Sequence, residues 1–161
     1  MKNLSYIFLS GFILLLCACS DNTNTADLFN NKASLPGAFD FDKLGLKVMT
    51  SFINKKEFTM ATLYANDTAL KNAVAGNKQV TDGEVFALVT WKQQADKHWF
   101  GGNIPAELQS IELVKTGSTN GKAITVNYQN FEGQNLALDS DTSQNQVRIK
   151  YIMNQQPAIM P

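Results

Sequence analysis

The run Glu84-Val85-Phe86-Ala87-Leu88-Val89-Thr90-Trp91 constrains this fold more than any other stretch of the chain. In an extended strand successive side chains point to opposite faces. Val85, Ala87, Val89 and Trp91 therefore share one face, and Phe86 and Leu88 lie on the other. A strand apolar on both sides needs cover on both sides, whereas a half-solvated strand alternates apolar with polar. Asp82-Gly83 supplies the turn that precedes it.

Cleaner alternation recurs further along. Ile124, Val126 and Tyr128 alternate with Thr125, Asn127 and Gln129, and Val147, Ile149 and Tyr151 alternate with Arg148 and Lys150; both stretches predict strands. Leu46 to Ile53 predicts another, with Asn54 to Glu57 as a polar turn and Phe58 to Tyr64 returning. Ser110 to Thr116 is a further strand, followed by a Gly- and Ser-containing turn from Gly117 to Lys122. Lys92 to Lys97 reads as a polar excursion, and Trp99 to Pro105 as an aromatic-glycine-proline loop. One short helix is expected: Asn66 or Asp67 caps it, Ala69, Leu70, Ala73 and Val74 recur at helical spacing, and Gly76 follows its end. The predicted class is α+β, a mostly antiparallel sheet of about five or six strands with one or two flanking helices.

The first residues carry an address. Met1-Lys2-Asn3 is a short positive start, and Tyr6 to Ala18 is almost wholly apolar, too short to span a bilayer but suited to a signal-peptide core. It ends in Leu16-Cys17-Ala18-Cys19, which resembles the bacterial lipobox. Bulky Leu16 precedes Cys17 and disqualifies it; small Ala18 precedes Cys19, the expected lipidation site. The expected division is a signal peptide over 1–18, a polar tether over 19–38, and a folded domain over 39–161. Ser20 after the cysteine favours the outer membrane, facing the periplasm. One acyl chain holds a bilayer only marginally, whereas the several chains of a mature lipoprotein hold it firmly. The lipid bilayer is thus the first expected partner.

Charge excludes a second class of partner. The formal net charge is zero, with 14 basic and 14 acidic residues, and Arg148 is the only arginine. Nothing here forms the basic footprint of a nucleic-acid binder. With Cys17 lost with the signal and Cys19 spent on lipid, the domain is expected to have no thiol, no disulfide and no cysteine metal site.

Both tryptophans and the only histidine fall between Trp91 and Gly102. Trp91, Lys92, His98, Trp99 and Phe100 form the candidate ligand pocket, with indole walls and polar groups at its mouth; the plainer reading has the aromatics plugging one end of the sheet. Trp91 is expected to be largely buried and Trp99 partly so. Glu107 and Glu112 are candidate general acid and base, a role that requires burial to separate their pKa values, though exposed carboxylates are the simpler reading. No serine-nucleophile motif and no phosphate-binding glycine pattern is present.

Leu63-Tyr64-Ala65-Asn66-Asp67-Thr68-Ala69, the stretch Asp82 to Lys92, and the Trp99-Phe100-Gly101-Gly102 loop with Ile104-Pro105 resemble the cytochrome P460 family, over roughly Leu46 to Ile152. The resemblance implies an antiparallel sheet with flanking helices, often dimeric, hence a homodimer as a second expected partner. It also implies a periplasmic c-type haem and hydroxylamine oxidation or gas binding. The attachment motif Cys-x-x-Cys-His has no counterpart in this chain. The expectation is therefore a haem-free, P460-like lipoprotein with no cofactor, no catalytic residue and no metal, acting as a ligand-binding or accessory module for an unidentified small molecule. Phe52, Phe86, Phe100 and Phe131 are expected to close the space a haem would take. The alternatives are non-covalent haem held by His98, Met49 or Met60, and a small hydrolase using Glu107 or Glu112 with His98.

Overall fold

The computed structural model describes residues 29–76, 79–118, 123–133 and 135–158. The expected signal peptide, Cys19 and the first part of the tether lie outside the described residues. From Asn31 the chain forms one compact unit. Its elements run β1 (Lys47–Asn54), β2 (Thr59–Ala65), α1 (Asp67–Val74), β3 (Val85–Ala95), β4 (Asn103–Ser118), β5 (Ile124–Glu132), β6 (Ala137–Leu138) and α2 (Asn145–Met153). The six strands form one sheet in the order β1-β2-β3-β4-β5-β6. Every pairing is antiparallel, as expected when each strand pairs with its neighbour in sequence.

β3 lies inside this sheet, between β2 and β4. One face collects Ala87, Val89 and Trp91 with Leu108, Ile111 and Leu113 of β4, covered by Phe41 and Leu46. The other collects Phe86 and Leu88 with Leu63, Ala65 and Val114, covered by Ala69 of α1 and Ile152 of α2. The two apolar faces legible in β3 are both filled, by different means.

The first cover draws in residues ahead of Phe39. Ala33, Leu35 and Phe39 pack on that face. The Lys32 carbonyl accepts from the Leu108 amide at 2.9 Å, and the Ala33 carbonyl accepts from the Trp91 indole at 2.8 Å. Among the described residues no helix covers this side; the segment read as tether closes it, and its carbonyls find buried donors there.

The second cover corrects the strand expected over Val147–Tyr151, which is helix α2. The alternation that suggested a strand would place Val147, Ile149 and Tyr151 together, yet Val147 is 62% and Tyr151 40% exposed. Ile149, Ile152 and Met153 face the sheet instead, at the three- and four-residue spacing of a helix. Beyond α2 the chain returns to the sheet edge, where the Ala158 amide donates to the Met49 carbonyl at 2.9 Å. That carbonyl sits at an irregularity in β1, where the register shifts between Val48 and Thr50.

The β3–β4 hairpin is longer than expected. The polar excursion from Lys92 is strand as far as Ala95, and Ile104-Pro105 belongs to β4. β4 tolerates a proline here because its pairing with β5 begins only at Ser110, so Pro105 withholds no amide from a second strand. α1 follows expectation at its start: the Asn66 side chain accepts from the Ala69 amide at 3.0 Å and from the Val85 amide at 3.2 Å, and donates to the Gly83 carbonyl at 2.8 Å. One cap thus ties β2, α1 and β3 together. Val74, expected on the apolar stripe, is 75% exposed.

Of the four phenylalanines expected to fill space, Phe86 is buried and Phe52 and Phe131 pack against the two cores. Phe100 stands wholly in solvent. Trp91, 8% exposed, carries the first face. Replacing it with alanine is expected to cost about 3–5 kcal/mol, as deletions of large core side chains do. Trp91→Phe, which keeps most of the ring volume but drops the bond to Ala33, should cost about 1 kcal/mol. Denaturant unfolding of the two variants beside the parent checks the ordering.

Candidate functional site

The helix-covered face is where the fold places polar chemistry next to apolar packing. Glu112 points to this face from β4, opposite Leu88 on one side and Asn130 on the other, and is 5% exposed. Arg148 of α2 grips it with both arms, Nε to Oε2 at 2.8 Å and Nη2 to Oε1 at 2.6 Å. The Tyr128 hydroxyl of β5 donates to Oε2 at 2.7 Å. Arg148 also lies 4.9 Å from the centre of the Tyr151 ring. The forked guanidinium suits such a planar, two-point contact. The only arginine of the chain is thus committed to docking α2 on the sheet. Burial, and then the hydrogen bond to Glu112, push the Tyr128 hydroxyl well above the ordinary tyrosine range. Burial alone raises Tyr64.

A second cluster sits at the start of β3. Glu84 is 3% exposed. Its Oε1 accepts from the Asn72 side chain of α1 at 2.7 Å, and its Oε2 from the Thr81 amide at 3.4 Å. The Thr116 hydroxyl accepts from the Glu84 amide at 2.8 Å and donates to the Thr81 carbonyl at 2.6 Å. Asp82 accepts from the Ser118 amide at 2.8 Å. These bonds pin the loop between α1 and β3 to the far end of β4. Among the described residues, no cation forms an ion pair with Glu84.

Between α1 and α2 lies an open cleft of about 610 Å³. Glu84 and Phe86 of β3 line it together with Asn72 and Ala73 of α1, and with Ile149, Lys150 and Met153 of α2. Gln79, Gln146, Asn154 and Gln156 are also among its lining residues. An apolar floor, several amides and a buried carboxylate suit a small molecule rich in hydrogen-bond donors. A carboxylate offers about four lone-pair sites, and the described contacts use two of them.

The residues singled out between Trp91 and Gly102 are not gathered around this cleft. Trp91 belongs to the opposite face of the sheet. Lys92 pairs with Glu107 at 3.0 Å on the surface. His98 is exposed, Trp99 is 75% exposed rather than partly buried, and Phe100 is fully exposed. Glu107 and Glu112 are five positions apart on β4, roughly 17 Å, and Glu112 is already bound by Arg148 and Tyr128. The pairing needed for shared acid–base work is not formed. Sequence reasoning passed over Asn72, Glu84, Tyr128 and Arg148. The available signal was an acidic residue at the mouth of the most apolar strand and a lone arginine in a charge-poor chain.

Neither the protein-family models nor the curated proteins contain a match to this chain. The donor set does not fit the c-type haem that the P460 resemblance implies. The only cysteines are at positions 17 and 19, the only histidine stands on an exposed tip, and the cleft offers one methionine, Met153. Met49 is 3% exposed within the helix-side core and Met60 packs on the other face. Among the described residues no three His, Cys, Asp or Glu side chains come together to hold a metal.

Two expectations follow from the Glu112 cluster. Arg148→Ala should destabilise the domain by about 2–3 kcal/mol, below the range for fully enclosed pairs because Arg148 is partly solvated. In an alkaline titration, Tyr64 and Tyr128 should ionise above the ordinary tyrosine value of about 10. A raised folded-state pKa means that the stabilisation from neutral Tyr128 is complete below that pH and is lost as pH rises past it. Tyr128→Phe should remove the latest-ionising tyrosinate absorbance and flatten the alkaline loss of stability.

Proposed function

We propose that the chain is a membrane-anchored bacterial lipoprotein carrying a haem-free, P460-like domain, which works as a ligand-binding or accessory module in the periplasm. The cleft between α1 and α2 is its binding site. The observation that carries this reading is Glu84: a carboxylate buried at the cleft's floor, held by Asn72 and Thr81, with acceptor capacity left over. A buried carboxylate is costly unless its remaining sites are satisfied, and a ligand's ammonium or hydroxyl groups would satisfy them. Lys150 lines the same cleft and suits an anionic end of the same molecule. The anchor rests on Leu16-Cys17-Ala18-Cys19 behind an apolar core, and Ser20 supports the outer membrane. The absence of any thiol beyond Cys19 argues for a domain that works without covalent haem. No described helix is long and apolar enough to cross a membrane.

Thermal unfolding against a panel of small amines, amino acids and polyols tests the cleft. A ligand at 100 times its Kd stabilises by about 2.7 kcal/mol, so a binder should raise the midpoint by several degrees. Glu84→Gln keeps the side-chain volume but removes the charge, and should abolish the shift given by amines. A panel without any shift, or one that shifts the Gln variant equally, would refute the cleft. The anchor has its own check: labelled fatty acid should enter the parent chain and not Cys19→Ala.

A further inference from the structure

The antiparallel order sends the β1–β2 turn and the β3–β4 turn to the same end of the sheet. Thr59 lies opposite Lys92 and Ala95 opposite Asn103, so the second hairpin overshoots the first by three residues, about 10 Å. These neighbouring tips display large apolar side chains in water: Ile53 is 65%, Phe58 72% and Trp99 75% exposed, and Phe100 is fully exposed. None of them serves either core.

The tips are built to hold that display. Asp96 Oδ1 accepts from the His98 and Trp99 amides at 2.7 and 3.3 Å. The Asp96 amide bonds the Gly102 carbonyl at 2.9 Å, and the Gly102 amide bonds the Trp99 carbonyl at 3.0 Å. A Cβ on Gly102 would sit 3.2 Å from that carbonyl oxygen, and Gly101 has φ +80°. On the other tip Phe58 itself is left-handed, at φ 52°, unusual for a bulky residue. Its carbonyl accepts from the Gln93 amide at 2.8 Å. Lys55, Lys56, Lys97 and His98 stand exposed around these rings, against Glu57 and an Asp96 turned onto its own backbone.

A convex tip of Trp and Phe backed by lysines suits a lipid–water interface, where indole rings settle at headgroup depth and lysines meet anionic headgroups. A protein groove would demand a fixed complementary shape; a bilayer does not. The position of the N-terminal segment agrees. Lys32 is bonded to Leu108, five residues from the start of β4 at the tip end, about 17 Å. The dozen or so residues between Cys19 and Lys32 reach at most about 45 Å, enough to bring a lipid on Cys19 and the tips to one bilayer surface.

We infer that the paired β1–β2 and β3–β4 tips dip into the bilayer interface, through Phe58, Trp99 and Phe100, and hold the domain upright on its anchor. This rests on the lipoprotein reading. The Glu84 cleft, at the opposite end of β3, then faces away from the membrane.

The test uses the full chain carrying Trp91→Phe, so that Trp99 alone fluoresces, in vesicles of phosphatidylethanolamine and phosphatidylglycerol at lipid excess. Trp99 emission should shift to the blue, lose its quenching by acrylamide and gain quenching by lipids brominated on the acyl chain. Phe58→Ala with Phe100→Ala should weaken all three changes while leaving the unfolding transition in place. Water-like emission that acrylamide still quenches in vesicles would overturn the inference. So would a blue shift that needs no lipid and grows with protein concentration, which would mark a second copy of the chain as the occupant. The mass of the same sample reports acylation at Cys19, so failure of the anchor is read separately from failure of the tips.

Discussion

A strand with apolar side chains on both faces cannot stop at one layer of cover, and the rest of this molecule is arranged around that demand. β3 sits inside the sheet with Phe86 and Leu88 toward the helices, and Ala87, Val89 and Trp91 toward residues 33–46. The chain meets the two demands unequally. One cover is irregular and tied by backbone carbonyls to Leu108 and Trp91. The other consists of helices of eight and nine residues, shorter than any that persists alone in water. Their stability is borrowed from the sheet: α1 through the Asn66 cap and Ala69, α2 through Ile152 and the Arg148–Glu112 fork.

That dependence explains why the polar chemistry gathers on the helix side. A short helix held only by apolar contacts can slide; a forked ion pair at 2.6 and 2.8 Å sets its rotation and register. Such buried pairs add little net stability compared with apolar residues of the same volume, but breaking one is expensive. The Glu84 cluster is different in kind. It joins α1 and a loop through the Glu84 carboxylate, and β4 through the Thr116 hydroxyl bonded to the Glu84 amide and the Thr81 carbonyl, and it borders open space. One carboxylate is consumed by architecture, while the other keeps capacity for something else.

Much of the sheet was legible because period-two patterning is local. The two faces of β3, the strands β1, β2 and β5, and the Asn66 cap could all be read from neighbouring residues. α2 was not, because Val147-Arg148-Ile149-Lys150-Tyr151 alternates as a strand would, while Ile149, Ile152 and Met153 also satisfy a helix. Only the need to cover Leu88 and Val114 decides between them. The cover formed by Ala33 and Leu35 was hidden by sparse apolar residues beside Pro36-Gly37. The site was the least legible part. Asn72 meets Glu84 across 12 residues and Arg148 meets Glu112 across 36, separations at which no local pattern signals contact. The aromatic cluster drew attention by composition, yet its members divide between core and solvent.

The start of β1 has a consequence for association. An outermost strand ordinarily offers a row of free amides and carbonyls to any other extended chain, the usual route to edge-to-edge aggregation. Here the register breaks between Val48 and Thr50, and the Met49 carbonyl is already taken by Ala158. An incoming strand would have to evict the C-terminal tail and straighten the irregularity before it could zip along β1. The segment at Ala158 therefore acts as a guard on the sheet's first strand, and displacing it would expose an edge that its bond to Met49 keeps occupied.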